Sequence, residues 1–124
     1  MYPEQELTDR IIGAAIEVHK CWGPGLLESV YEKSLARELE MRGVQYRQQV
    51  DLPLTYKGIA VGDGLRLDLL VEGRVVVELK AVKDLDPVYE AQLLTYMKLT
   101  SCRVGLLINF NKPTLIEGLK RFVL

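Results

Sequence analysis

The chain has 124 residues, of which 48% are hydrophobic, 27% charged and 7% aromatic, a balance that fits one globular domain over 1–124 and leaves no room for a second. Lys plus Arg number 16 and Asp plus Glu 17, a net charge of -1, which excludes a general nucleic-acid coat protein and a membrane-surface binder. No apolar run approaches the ~20 residues of a membrane span, and the first residues lack the basic-then-apolar order of a secretory leader, so the expected location is the cytoplasm, with no membrane partner.

Apolar residues Leu7, Ile11, Ile12, Ala15 and Ile16, with Trp22 just beyond, predict a first amphipathic helix over 5–21, stopped by Gly23-Pro24-Gly25. Leu27, Val30, Tyr31, Leu35 and Leu39 predict a second over 26–42, closed by Gly43, with Glu28 near its N-terminus, where a carboxylate is favoured. Residues 44–61 alternate and read as two strands around a Lys57-Gly58 turn. Leu65–Val71 and Val75–Val82 flank Glu72-Gly73-Arg74 and read as an antiparallel hairpin. Asp86-Pro87 opens a third helix to about Lys98, Val104–Ile108 is a buried strand, and 109–113 is loop. Leu115–Leu124 fits either a strand or a helix. The expected order is ααββββαβ.

The hairpin concentrates the chemistry. Strict alternation puts Asp68 on one face with Arg66 and Leu70, and Glu78 on one face with Lys80 and Val76. Asp68 meets Glu78 in any register whose paired numbers add to an even value near 146. Two carboxylates and a lysine amid Val and Leu are costly to bury without compensation, and a hard divalent cation such as Mg²⁺ or Mn²⁺ supplies it. The competing reading is a solvated edge hairpin. On the third helix, Gln92 and Tyr96 stand at i, i+4 and share a face, able to bond a water and a phosphate or simply to flank the core.

Other candidates read as structure. Cys21 and Cys102 form no CxxC pair and are expected as two buried free thiols. His19 is expected to pack rather than to activate a nucleophile, and Trp22 and Tyr31 to pack around the turn between the first two helices. Residues 88–124 carry 5 basic and 2 acidic groups, so Lys98, Arg103, Lys112, Lys120 and Arg121 are either solvated surface or phosphate contacts.

Strand-borne Asp68, then Glu78-Leu79-Lys80, then Gln92-Leu93-Leu94-Thr95-Tyr96 on a helix, resembles the PD-(D/E)xK nuclease superfamily in its RecB-like form with a QxxxY motif. Gly25-Leu26-Leu27-Glu28-Ser29-Val30-Tyr31, preceded by Ile16-Glu17-Val18-His19, resembles the GxxExxY family within it, although Leu67 stands where the superfamily name has Pro. The resemblance implies an α/β (α+β) restriction-endonuclease-like core, a mixed sheet flanked by helices. It implies metal-dependent phosphodiester hydrolysis of DNA, less so of RNA, with Mg²⁺ or Mn²⁺ held by Asp68, Glu78 and Glu28. Lys80 would orient or help deprotonate the attacking water, Gln92 would hold it, and Tyr96 would contact the phosphate. A domain this small is expected to act as a homodimer or with a protein partner. The alternatives are a catalytically silent nuclease-fold binding module and a structural homodimer without nucleic-acid affinity.

Overall fold

Helical apolar spacing and the Val-rich hairpin dominate the architecture of the computed structural model, which describes residues 2–124. Helices α1 (Gln5–Trp22) and α2 (Glu28–Met41) are followed by β1 (Tyr46–Leu52), a two-residue pair β2 (Thr55–Tyr56) and β3 (Ile59–Ala60), then β4 (Leu65–Val71) and β5 (Val75–Lys80). Helix α3 (Pro87–Thr100) leads to β6 (Val104–Asn109), a 3-10 turn (Ile116–Gly118) and β7 (Leu119–Val123). The main sheet runs β1-β4-β5-β6-β7. Among the described residues only β5 and β6 pair in parallel, the two strands that α3 connects. A parallel pair needs such a crossover.

The sheet is covered on both faces. Leu7, Ile11, Ala15 and Val18 of α1 and Tyr31, Leu35 and Leu39 of α2 pack with Val75, Val77, Leu79, Leu106 and Ile108. Leu93, Tyr96 and Met97 of α3 pack with Leu70, Val76 and Leu107 on the other side. This two-sided burial explains the continuous apolar runs of β5 and β6. Gly105 on β6 is what lets α3 lie so close, since a Cβ there would stand 2.6 Å from Met97 Sδ. Gly118 is equally constrained, because its Cβ would fall on the Asn109 carbonyl.

Several expectations need correction. The second strand of 44–61 is only the short β2–β3 pair, which forms its own two-stranded sheet; Pro53, lacking an N–H, ends the run in β1. The order therefore contains five strands before α3, not four. The C-terminal segment is both turn and strand, and β7 adds an antiparallel edge beside β6. Of the two thiols, Cys102 is buried but Cys21 is exposed. Tyr31 is fully buried, while Trp22 stays 49% exposed and donates from Nε1 to Ser34 Oγ at 2.9 Å. His19 packs as expected, its Nε2 2.8 Å from the Lys112 carbonyl. None of the helices among the described residues is long and apolar enough to cross a membrane.

Candidate functional site

Toward the Glu72–Arg74 turn, β4 and β5 pair residue by residue, Leu69 with Val77, Leu70 with Val76 and Val71 with Val75. Every pair adds to the same even number, one of the registers that bring Asp68 beside Glu78. One step further out, the ladder stops and side chains take over. The Asp68 N–H donates to Glu78 Oε1 at 2.7 Å, and the Leu79 N–H donates to Asp68 Oδ2 at 2.9 Å. Each strand thus offers a backbone donor to the carboxylate of the other, which satisfies two buried N–H groups without a regular ladder.

This crossing coincides with a change of phase. On β4, Leu69 and Val71 pack toward α1 and α2, whereas Leu65 and Leu67 pack with Leu70 in the cluster under α3. Strict alternation is broken at Asp68. The expected common face of Arg66, Asp68 and Leu70 is therefore not formed: Arg66 is exposed and pairs with Asp51 at 2.9 Å, and Leu70 is core. The cause lies on both strands, since β1 shifts its packing at the same level. Gln48 pairs with Leu69 and Val50 with Leu67, but no ladder pair joins Gln49 to Asp68. Gln49 sits at φ 50, a left-handed conformation that costs a non-glycine residue about 1–3 kcal/mol and tends to occur where function demands it.

Glu78 is 5% exposed. Burial, reinforced by the Asp68 charge and opposed by the Asp68 N–H and Lys80, pushes its pKa up to about 8. Lys80 extends beyond it on the α3 side, its ammonium 4.2 Å from the centre of the Tyr89 ring, a cation–π contact. The end of β5 is fixed from below: Asn109, fully buried, exchanges bonds with Val82 through Oδ1 (3.1 Å) and Nδ2 (2.8 Å), and the Phe110 N–H donates to the Lys80 carbonyl.

Glu28 arrives from α2, of which it is the first residue. Tyr31 sets its approach, donating its hydroxyl to the Gly23 carbonyl at 2.6 Å, accepting from the Leu26 N–H at 3.1 Å, and stacking on Phe110 at 4.5 Å. The Gly-xx-Glu-xx-Tyr spacing thus has a mechanical meaning, because the buried tyrosine ties down the loop that delivers the glutamate. Burial raises the Glu28 pKa, Lys80 opposes the shift, and Asp68 and Glu32 add to it. Tyr96 on α3 is raised by burial and then by Glu78 and Asp68.

Glu28, Asp68, Glu78, Lys80 and Tyr96 consequently share one electrostatic neighbourhood. Gln92 is not drawn in: it is exposed one turn away on α3, and no side-chain hydrogen bond ties it to the carboxylates among the described residues. Nor do the three carboxylates close into a metal cluster, since no three His, Cys, Asp or Glu among the described residues are grouped to hold an ion. The pair that meets is Asp68 and Glu78. That pair still fits Mg²⁺ or Mn²⁺, which bind through one or two carboxylates and take their remaining ligands from water and phosphate. Glu78 Oε2 takes no part in the strand crossing, and burial, with Asp68 beside it, holds the Glu78 pKa above the usual carboxylate range.

Compared with known families, residues 5–122 match the PD-(D/E)XK nuclease superfamily. The chain belongs to that superfamily. No curated protein and no solved structure shows significant similarity to it. In this PD-(D/E)XK chain, the mixed sheet with helices on both faces is the nuclease-like core.

Sequence reasoning missed Glu32, Gln48, Gln49 and Tyr89. Glu32 is half-buried on α2, with its pKa raised by burial and by Asp68 against the hydrogen bonds from Gln48 and Gln49. Its signal was its place one turn after Glu28. Tyr89 stands seven residues before Tyr96, two turns along the same helix face. The expected phosphate contacts are largely engaged elsewhere: Lys120 pairs with Glu90, Lys112 donates to the Lys83 carbonyl, and Arg121 donates to Thr8 Oγ1 and the Pro3 carbonyl.

Proposed function

We propose that this domain is a divalent-metal-dependent nuclease hydrolysing phosphodiester bonds in DNA, with RNA the less favoured substrate. The observation that carries this reading is the crossed Asp68–Glu78 pair at the open end of the β4–β5 hairpin, in a chain of nuclease descent. Asp68 and Glu78 hold Mg²⁺ or Mn²⁺, with Glu28 reaching it directly or through water from the α2 terminus, as in the GxxExxY family the loop resembles. When bound, the cation supplies Lewis-acid polarisation of the phosphate and a more acidic water.

The rest belongs to the chain's own groups. Lys80, held in direction by the Tyr89 ring, orients the attacking water and places positive charge beside the oxygen on which negative charge develops. Tyr96 contacts the phosphate backbone from α3, while Gln92, exposed one turn before it and unbonded to the carboxylates, meets the nucleophilic water from the open side of the site. With Lys112, Lys120 and Arg121 tied within the fold, a homodimer or protein partner supplies the wider grip on a duplex.

The test is cleavage of labelled single-stranded, double-stranded and branched DNA, and of RNA, in Mg²⁺ and Mn²⁺, comparing the natural chain with Asp68→Ala. Metal-dependent cleavage lost in the variant is the expected result. Absence of cleavage by a folded protein that still binds one of these substrates replaces the nuclease with a silent binding module.

A further inference from the structure

Gln49 has no role in the reading above, yet it is held in a conformation that its side chain does not favour. Successive residues of a regular strand point to opposite faces. Gln48 and Gln49 nevertheless reach the same carboxylate: Gln48 Nε2 donates to Glu32 Oε2 at 3.0 Å and Gln49 Nε2 to Glu32 Oε1 at 2.7 Å. The left-handed φ of 50 at Gln49 turns its side chain to that side. The same Nε2 also donates to Asp68 Oδ1 at 3.3 Å. Glycine is the residue that this backbone conformation ordinarily takes, and glycine has no amide to offer.

We infer that Gln49 is a positioning residue that locks the Asp68 carboxylate and ties it to α2. Asp68 is gripped on both oxygens, Oδ1 by Gln49 on β1 and Oδ2 by the Leu79 N–H on β5. Through Glu32, one turn beyond Glu28, the same amide anchors the first turn of α2 to β4 and so sets the separation of Glu28 from Asp68. The bond to Glu32 also occupies one of its oxygens, which reserves that carboxylate for orientation. The consequence for metal binding rests on the nuclease reading, whereas the grip on Asp68 does not.

The experiment uses the full chain with Gln49→Gly, which relaxes the backbone and removes the amide, and Gln49→Ala, which removes the amide and keeps the strain. Two readouts are taken: exchange of the Leu79 amide proton without metal, and the Mn²⁺ concentration that gives half of the thermal shift. Both variants are expected to speed Leu79 exchange by about tenfold and to require about 10-fold or more Mn²⁺. The metal-free melting temperature separates them, being higher in Gln49→Gly than in Gln49→Ala. Unchanged Leu79 exchange in both overturns the inference, as do exchange and metal effects that simply follow the melting temperature. A natural chain whose melting temperature ignores Mn²⁺ overturns the nuclease reading instead, while the Leu79 exchange still judges Gln49.

Discussion

The two ends of the β4–β5 hairpin are built from the same two strands by opposite means. At the closed end, Leu69 to Val71 and Val75 to Val77 pair through backbone, and their side chains are wholly apolar and buried. At the open end, the backbone of each strand is satisfied by a carboxylate from the other, and the side chains are Asp68, Glu78 and Lys80. A regular ladder leaves its side chains with nothing to do but pack. Giving up one rung lets two carboxylates be both fixed and close together, at the cost of charge repulsion in a half-dry setting.

The contrast is broken most severely at the closed end. Leu69→Ala, at a fully buried site, is expected to cost about 2–5 kcal/mol in urea unfolding while leaving the Mn²⁺ midpoint unchanged. If metal affinity falls with it, the two ends are not independent.

The open end is sharpened by pH. With the Glu78 pKa raised to about 8 from an ordinary 4.5, the folded state keeps a proton through that window that the unfolded chain has released. Metal-free stability contributed by Glu78 is therefore full below pH 4.5 and is lost as pH rises toward 8. Thermal melts from pH 5 to 8 should show this decline, and Glu78→Gln should flatten it relative to the natural chain.

A smaller effect is expected from Asp68→Asn. The amide oxygen can still accept from Leu79 and the charge beside Glu78 is gone, but the new NH2 faces the Gln49 donor, so metal-free stability should change by no more than about 1 kcal/mol while the Mn²⁺ shift disappears. Tyr31→Phe should cost about 1 kcal/mol in denaturation, since it frees the Gly23 carbonyl and the Leu26 N–H. Its larger effect should be weakened Mn²⁺ binding through Glu28.

The closed end was legible from the chain. The Glu72-Gly73-Arg74 turn places a hairpin there, and among the even-sum registers that the letters leave open, the structure takes one that buries the Val and Leu run on both faces. That register alone sufficed to bring Asp68 beside Glu78. What stayed hidden depends on a single backbone angle. Nothing in the letters Gln48-Gln49 announces a positive φ, because glutamine carries no preference for it, and strict alternation then misassigns Arg66 and Leu70. Cys21 was missed for a related reason: helical spacing places it at the margin of the apolar stripe, where neighbouring groups decide exposure. Gln92 shows the converse limit, as a shared helix face with Tyr96 did not bring it into contact with the carboxylates.

Trp22 is the chain's one tryptophan, and it stands beside Gly23, whose carbonyl is held by Tyr31 at the base of the loop leading to Glu28. Half exposed and bonded to Ser34 on α2, its indole joins the end of one helix to the first turns of the next. The protein thereby carries its own fluorophore at the joint between α1 and α2. Emission from an unlabelled sample reports on that joint alone, free of any background from a second indole.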